Sequence, residues 1–185
     1  MSTNVKRKDP LTQPERTVAV IRRARAIDRN AIWAVLKPVI RAGETYALPE
    51  NMRKRDALEF WHRKGHEVFV AEDSKRILGT YFLHANQMGG GGHVANCGYV
   101  TSADAQGKGV GRTMLEHSLE LARARGFFAM QFNFVVSTNH RAVETWQAYG
   151  FEIVGTLPAA FEHPRLGFVD ALVMYKQLTP NRISG

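Results

Sequence analysis

The stretch Val100–His117, which reads VTSADAQGKGVGRTMLEH, carries the strongest signal in this sequence. A strand-like apolar run ends at its start, and a helical pattern with Leu115 and Leu119 on one face begins at its end. Between the two, glycines at positions 107, 109 and 111 alternate with other residues. Backbone N–H groups at a helix start are unpaired and attract phosphate, and a β-carbon would obstruct the approach. The stretch therefore predicts a phosphate-binding loop, to which Lys108 and Arg112 add positive charge.

Three phosphate-loop patterns can be compared with this stretch. The dinucleotide pattern G-x-G-x-x-G fails because the third glycine falls one position early, and the triphosphatase pattern G-x-x-x-x-G-K-[ST] fails because glycine follows Lys108. A third pattern, [QR]-x-x-G-x-[GA] between a strand and a helix, fits throughout with Gln106, Gly109 and Gly111. A glycine-rich helix entry without a ligand is the alternative.

Length and composition predict one globular domain. The chain has 185 residues, 44% of them hydrophobic, and its single cysteine, Cys97, excludes an internal disulfide. We expect the domain over 17–179, with a flexible N-terminal tail at 1–16 and a short C-terminal tail at 180–185. No apolar run reaches the ~18 residues of a membrane-spanning helix, and the N-terminal residues lack the apolar segment of a secretory signal. These features predict a cytoplasmic protein without a membrane partner.

The charge of the chain restricts its partners only in part. A net charge of +8 attracts anions, which could be a phosphorylated cofactor, an acidic metabolite or nucleic acid. No basic run is interleaved with exposed aromatic residues as in a nucleic-acid platform, so we expect no nucleic-acid partner. His62 and His66 do not form a zinc motif because Gly65 interrupts their helix, and we expect no metal.

The hydropathy pattern predicts an α+β fold, with helices packed on a mixed sheet. Its order is one strand, two helices, three strands, a helix, a strand, a helix and two strands. The predicted strands are 17–24, 67–73, 76–85, 93–100, 127–136, 151–157 and 169–178, and the predicted helices begin after Asp28 and span 51–64, 112–125 and 139–149. We expect Pro38 to bend or shorten the first helix, the strand at 127–136 to be covered on both faces, and Pro158 and Pro164 to lie in a loop between the last two strands.

With the glycine loop, this element order and a second segment, NHRAVETWQAYGF at Asn139–Phe151, the chain resembles the GNAT superfamily of acetyl-CoA-dependent N-acetyltransferases. The resemblance covers about 18–178 and implies about seven mixed strands and about four helices, with the fourth and fifth strands splayed. It also implies acetyl-CoA as the cofactor, with its pantetheine arm beside Val100 and Asn139 and its phosphates on the loop. The cofactor-binding residues so implied are Val100, Gln106, Gly107, Lys108, Gly109, Val110, Gly111, Arg112, Asn139 and Trp146.

The proton donor for the leaving thiolate is the first departure from the family pattern. The family commonly has a tyrosine in N-x-x-A-x-x-x-Y-x-x-x-G-F, and Trp146 stands in that place here. An indole N–H donates a hydrogen bond but does not release its proton near neutral pH. Tyr149 lies one turn further on and is our candidate for the catalytic acid, with a packing aromatic before Gly150 as the alternative.

The general base is the second departure. The family often has a glutamate on the fourth strand, and the corresponding segment HVANCGYV contains no carboxylate. Asn96 in that segment and Asn133 in the next strand are polar side chains in apolar surroundings, so we expect a shared polar pocket. As a hypothesis, these two residues complete the catalytic set by holding the amine and carboxylate of the substrate. The alternative is that each satisfies backbone groups at a sheet edge or bulge.

These features predict transfer of acetyl from acetyl-CoA to the amine of a small molecule, an amino acid or an analogue, by direct attack in a ternary complex. Tyr46 and Glu44 fall where the family lines its acceptor site, so we expect Tyr46 as a substrate wall and Glu44 as an amine partner, or else a plain surface loop. The segments HVANCGYV and FNFVVSTN are also similar to fungal acetyltransferases that modify proline analogues. The alternatives are a peptide or protein acetyltransferase and a non-catalytic acyl-CoA-binding module. A homodimer would fit the family, although no apolar stripe indicates one.

Overall fold

The computed structural model describes residues 19–179. The tails predicted at 1–16 and 180–185 lie outside the described residues, and the predicted domain bounds of 17–179 stay a prediction. Within the described range the elements follow the predicted order. The strands are β1 (Val20–Arg23), β2 (Glu67–Asp73), β3 (Arg76–Ala85), β4 (Val94–Thr101), β5 (Ala129–Val136), β6 (Glu152–His163) and β7 (Gly167–Gln177), and the helices are α1 (Arg29–Ala42), α2 (Lys54–Trp61), α3 (Val110–Ala124) and α4 (His140–Ala148).

The seven strands form one mixed sheet in the order β1-β2-β3-β4-β5-β7-β6. β4 and β5 are parallel to each other, whereas the other neighbouring strands are antiparallel. β4 and β5 pair only at Val94–Ala129 and Ala95–Met130 and then diverge. The predicted splay between the fourth and fifth strands is therefore confirmed, and it opens a fork in the middle of the sheet.

Helices cover both faces of this sheet. Alternate residues of β2 point to opposite faces, so Val68 and Val70 pack against α1 and α2 while Phe69 and Ala71 pack in the core with α3. Trp61 of α2 is almost fully buried, and its Nε1–H donates to Thr80 Oγ1 of β3 at 3.0 Å. Burial of such a side chain contributes roughly 1.5–3 kcal/mol, and the hydrogen bond removes the penalty of the buried indole N–H.

Two helix boundaries differ from the sequence prediction. Pro38 does not shorten α1, which continues to Ala42. Pro38 and Ala34 are both exposed, so water can reach the Ala34 carbonyl that lacks its usual N–H partner. α2 is shorter than the predicted 51–64 because the chain before Lys54 turns, and Gly65 has a φ of 93° after the helix end.

Two expectations for the strands are wrong. β5 is not covered along its whole length, because Asn133 and Phe134 are exposed where β5 leaves β4. Pro158 lies inside β6 rather than in a loop. It sits in the irregular register between Leu157 and Phe161 on the edge strand of the sheet, where a missing N–H interrupts no pairing with a further strand.

Candidate active site

A cleft of about 1080 Å³ begins at the fork between β4 and β5. Its walls come from the two diverging strands, the loop before α3, the first turns of α4 and the linker after α1. The predicted site residues that line the cleft are Glu44, Tyr46, Asn96, Val100, Gln106, Gly107, Lys108, Gly109, Val110, Gly111, Arg112, Asn133, Asn139 and Trp146. One fold feature thus brings together residues that are up to about a hundred positions apart in the sequence.

The loop at one end of the cleft has the conformation that an anion site needs. Gly107 and Gly109 have φ values of 82° and 86°, in the left-handed region that side chains disfavour. α3 begins at Val110, two residues earlier than predicted, and the Thr113 N–H is bonded to the Gly109 carbonyl at 3.0 Å. The N–H groups before Thr113 in the first turn have no intrahelical acceptor and are available to a phosphate.

Three cationic side chains surround this loop. Lys108 and Arg112 come from the loop itself, and Arg141 comes from the first turn of α4. A β-carbon placed at Gly107 would lie 3.8 Å from Arg141 Nη2, so this guanidinium reaches over the loop. None of the three forms a side-chain hydrogen bond or ion pair within residues 19–179. Sequence analysis missed Arg141, although it stands directly inside the NHRA segment that follows β5.

The walls at the fork are aromatic. The Trp146 ring packs 5.2 Å from the Tyr99 ring and 5.1 Å from the Phe132 ring, between centroids. The Tyr46 hydroxyl donates to the Tyr99 carbonyl at 3.0 Å, and burial raises the pKa of Tyr46 well above its usual range. A β-carbon at Gly98 would lie 2.6 Å from Phe82 Cζ, so only glycine lets this wall close. Tyr46 therefore stands as a neutral, fixed side chain in the cleft.

Asn96 and Asn133 meet at a third amide that sequence analysis missed. Asn86 Oδ1 accepts a hydrogen bond from Asn96 Nδ2 at 3.0 Å and another from Asn133 Nδ2 at 2.7 Å. Gln131 Nε2 in turn donates to Asn133 Oδ1 at 2.8 Å. These four residues, the amide cluster, join β3, β4 and β5 where the fork opens. Asn133 is exposed rather than buried as predicted, because the fork leaves its side of β5 uncovered.

The structure does not bring Tyr149 into the cleft. Its hydroxyl donates to Glu116 Oε1 on α3, and its ring packs on the core beneath that helix. A residue three positions after Trp146 is rotated by about 60° around the helix axis, which is enough to turn it from the fork to α3. The expected geometry for Tyr149 as the catalytic acid is thus absent, whereas the alternative of a packing aromatic agrees with these contacts.

Glu44 lines the cleft from the linker after α1. Its Oε1 lies 2.6 Å from Arg165 Nη2, which comes from the turn between β6 and β7. Glu44 is the one carboxylate among the described residues that line the cleft. The linker after α1 is therefore a wall of the cleft and not a plain surface loop.

Residues 33–151 match the acetyltransferase (GNAT) family. The chain belongs to that family. The structure of a GCN5-related N-acetyltransferase from Kribbella flavida superposes on this protein with a TM-score of 0.82 and 36% sequence identity. The match covers 86% of this chain and 97% of the Kribbella flavida chain. The chain is also 29% identical over 173 residues to the L-methionine sulfoximine/L-methionine sulfone acetyltransferase of Pseudomonas aeruginosa, which is 89% of this chain and 97% of that one. The N-acetyltransferase aca1 of Schizosaccharomyces pombe is 25% identical over 151 residues, 72% of each chain.

This GNAT chain is therefore an acetyl-CoA-dependent acetyltransferase, and acetyl-CoA is its acetyl donor. The residues present fit that donor. The unpaired N–H groups of the first turn of α3 and the cations Lys108, Arg112 and Arg141 complement a pyrophosphate with further phosphate charge. The thioester supplies the acetyl group, and the aromatic rings of Tyr99, Phe132 and Trp146 form the wall beside the fork.

The thiol of this acetyltransferase is not available as a nucleophile. Cys97 is 7% exposed, and burial raises the pKa of its thiol to about 12. The thiolate is the reactive form, so Cys97 stays protonated and unreactive near neutral pH. The described residues contain no group of three His, Cys, Asp or Glu side chains placed to hold a metal ion. Among the helices of residues 19–179, none has the length and apolar character needed to cross a membrane.

Proposed function

We propose that this acetyltransferase modifies the amine of a small molecule, an amino acid or an analogue, by direct attack in a ternary complex. The observation that carries the proposal is the continuity of one cleft from the cationic glycine loop to the amide cluster and Tyr46. A donor anchored on the loop and an acceptor held at the far end would meet at the fork. The buried thiol of Cys97 argues against transfer through a covalent enzyme intermediate.

Each cleft residue has a role in this proposal. Gln106–Arg112 hold the phosphates, and Val100 with Asn139 bonds the extended arm of the donor. The Trp146 indole N–H, which has no hydrogen-bond partner within residues 19–179, would be available to hydrogen-bond the leaving sulfur. Because an indole does not release its proton, the thiolate takes its proton from water. A backbone N–H of β4 near Tyr99 or Val100 stabilises the developing oxyanion.

The acceptor is held at the other side of the fork. Asn96 and Asn133 present amide groups to its amine and carboxylate, and Tyr46 forms the wall behind it. β4 has no carboxylate to act as a base, so the acceptor must be partly neutral on its own. An α-amine with a pKa of about 7.7–8.0 meets this requirement, whereas a lysine amine near 10.4 is almost wholly charged. The Pseudomonas aeruginosa relative is named as an acetyltransferase of L-methionine sulfoximine and L-methionine sulfone, and such substrates agree with this acceptor class.

Thermal unfolding with acetyl-CoA, CoA, ATP and NAD at equal concentration tests the donor end. A ligand at 100 times its Kd stabilises the fold by about 2.7 kcal/mol. The midpoint of thermal unfolding should therefore rise by several degrees with acetyl-CoA and with CoA, but not with ATP or NAD. Thiol release with a panel of amines that includes L-methionine sulfone and a lysine peptide then tests the acceptor. Acetylation restricted to the peptide would contradict the proposal.

The amide cluster gives a second test. We expect Asn133→Ala to raise KM for the accepted amine, because the substituted side chain no longer contacts it. Asn30→Ala is the matched control, since Asn30 accepts a side-chain hydrogen bond from Lys54 on the surface, outside the cleft. Unchanged kinetics for Asn133→Ala would remove this residue from the acceptor site. The cytoplasmic location and the homodimer stay predictions.

A further inference from the structure

Charges are distributed unequally along the cleft. Its cations, Lys108, Arg112 and Arg141, all lie at the loop end. Away from the loop, the one charged lining residue among those described is Glu44, and its partner is Arg165. A small charged acceptor that enters beside the linker after α1 therefore meets one carboxylate and one guanidinium, already paired with each other.

The turn between β6 and β7 holds Arg165 beside the cleft. His163 is 6% exposed, and its Nδ1 accepts the backbone N–H of Arg165 at 3.2 Å. Phe161, at 7% exposure, packs edge-on against Phe134 with 6.3 Å between ring centroids. Phe134 itself lines the cleft. The backbone of Arg165 is thus anchored, while 74% of its side chain is exposed and free to change partner.

An exposed ion pair of this kind contributes little to stability, so another ion pair can replace it at small cost. The zwitterion of an α-amino acid carries an ammonium and a carboxylate next to each other. The ammonium is complementary in charge to the Glu44 carboxylate, and the carboxylate is complementary to the Arg165 guanidinium. Arginine also suits a carboxylate because its guanidinium can donate two parallel hydrogen bonds.

We infer that Arg165 recognises the α-carboxylate of an amino-acid acceptor together with the amide cluster, exchanging Glu44 for it, while Glu44 attracts the ammonium group only during entry, before the neutral amine reaches the fork. This inference rests on the proposed function and narrows its acceptor to α-amino acids. The resting ion pair keeps both side chains at the mouth of the cleft until the acceptor arrives. A plain amine of the same size lacks the group that Arg165 would bind.

The test compares L-methionine sulfone with the amine that lacks only its carboxylate. For Arg165→Met we expect KM for the amino acid to rise about 10- to 100-fold, the loss of one charge-assisted interaction, with kcat within about twofold. KM for the amine should change by less than about twofold, and Arg165→Lys should restore part of the affinity. Arg125→Met is the control, because it removes an exposed ion pair with Glu67 at the far end of α3.

If the Arg165–Glu44 ion pair has only a structural role, the variants should give different results. If the pair only fastened the β6–β7 turn to the linker, Arg165→Met would weaken both substrates equally, and the exchange Glu44→Arg with Arg165→Glu would restore activity. Either result, or unchanged KM values, would overturn the inference. Calorimetric titration of α-amino acids into the CoA-saturated protein, together with the acetylation assay, distinguishes failure of this inference from failure of the proposed function. Binding of CoA without binding of any α-amino acid overturns the inference, whereas acetylation of amines without a carboxylate preference overturns it and leaves the small-amine function standing.

Discussion

Arg141 shows how one side chain can complete a site that a motif only outlines. The loop motif supplies two cations, and the third comes from the first turn of α4, whose Arg141 guanidinium lies close to Gly107. No local spacing links position 141 to position 107, so the sequence pattern could not place this guanidinium over Gly107. The contact depends on the fold.

We expect Arg141→Met to raise the Kd for CoA about tenfold, at the low end for loss of a charge-assisted hydrogen bond because the side chain is exposed. The difference between variant and wild type should shrink at high salt, since ions screen exposed charges. Calorimetry at two salt concentrations measures both effects. Arg125→Met should leave the Kd unchanged, and an unchanged Kd for Arg141→Met as well would exclude Arg141 from the phosphate site.

At the residue scale, most of the site residues predicted from the sequence line the cleft, but the side chains that they contact could not be predicted. Asn96 and Asn133 line the cleft together as expected, yet the oxygen that joins them belongs to Asn86. Asn86 follows β3, and its position opposite β4 depends on the hairpin register, which periodicity does not specify. The location of Tyr149 could not be predicted for a different reason: spacing along a helix gave its distance from Trp146 but not its partner Glu116 on α3.

At the element scale, the glycine loop joins a strand to a helix through two left-handed residues. Its conformation and its ligand can be separated experimentally, because Gly89 in the turn between β3 and β4 also has a positive φ and lies outside the cleft lining. A β-carbon at Gly109 or at Gly89 would meet no atom within 4 Å. Any cost of alanine at either position is therefore conformational.

We expect Gly109→Ala and Gly89→Ala each to lower the free energy of unfolding by about 1 kcal/mol, the usual cost of a side chain at positive φ. Only Gly109→Ala should also weaken CoA binding, because the strained loop turns its N–H groups away from the phosphates. Urea denaturation measures the first effect, and calorimetry with CoA measures the second. Equal CoA affinity in both variants would show that the conformation at Gly109 does not matter for binding.

The amide cluster joins three strands at the fork, and Asn86 provides the oxygen that connects Asn96 and Asn133. We expect Asn86→Ala to destabilise the fold by about 1–2 kcal/mol, because two side-chain donors lose their acceptor. It should also raise KM for the acceptor, since Asn96 and Asn133 are then free to reorient. Asn86→Asp is the matched control, as it keeps an acceptor oxygen in place. If both variants behave alike in urea denaturation and kinetics, the oxygen of Asn86 is not what holds the cluster.

At the scale of the whole molecule, the order of the elements could be predicted because helix and strand periodicity are local properties. The splay of β4 and β5 came from the family resemblance and their parallel pairing was not predicted, since strand pairing depends on contacts distant in sequence. The exposed end of β5 was missed for a related reason. An apolar run such as FFAMQFNFVV indicates a buried strand only if the adjacent strand pairs along its whole length. β4 pairs with β5 at two positions and then diverges, so the end of β5 is exposed.

The stability of the whole fold should fall in mild acid. His66 stacks against the rings of Phe82 and His84, and burial lowers its pKa to about 4. The unfolded chain takes up this proton near pH 6.5 and the native fold does not, so stability present at pH 7 is lost as the pH falls towards 4. Because water screens the half-exposed ring, we expect a loss of about 1 kcal/mol between pH 7 and 5.

Urea denaturation at pH 7 and pH 5 measures this loss, and His66→Gln should reduce it. The paired carboxyls do not interfere in this window. Arg22 lowers the pKa of Asp28 to about 2, so the stability contributed by that carboxylate is lost only below about pH 4. An equal pH dependence in wild type and His66→Gln would assign the effect to other groups.

The fork also changes what kind of strand β4 is. From Asn96 to Thr101 it keeps β3 on one side and has no strand on the other, although it lies fourth of seven in the sheet. Along this half, a central strand has the properties of an edge strand, with backbone groups open to an added extended chain. Its cleft-facing amide protons should exchange with solvent deuterium quickly in the free enzyme, at rates otherwise found at the rim, and slow down once the donor occupies the fork.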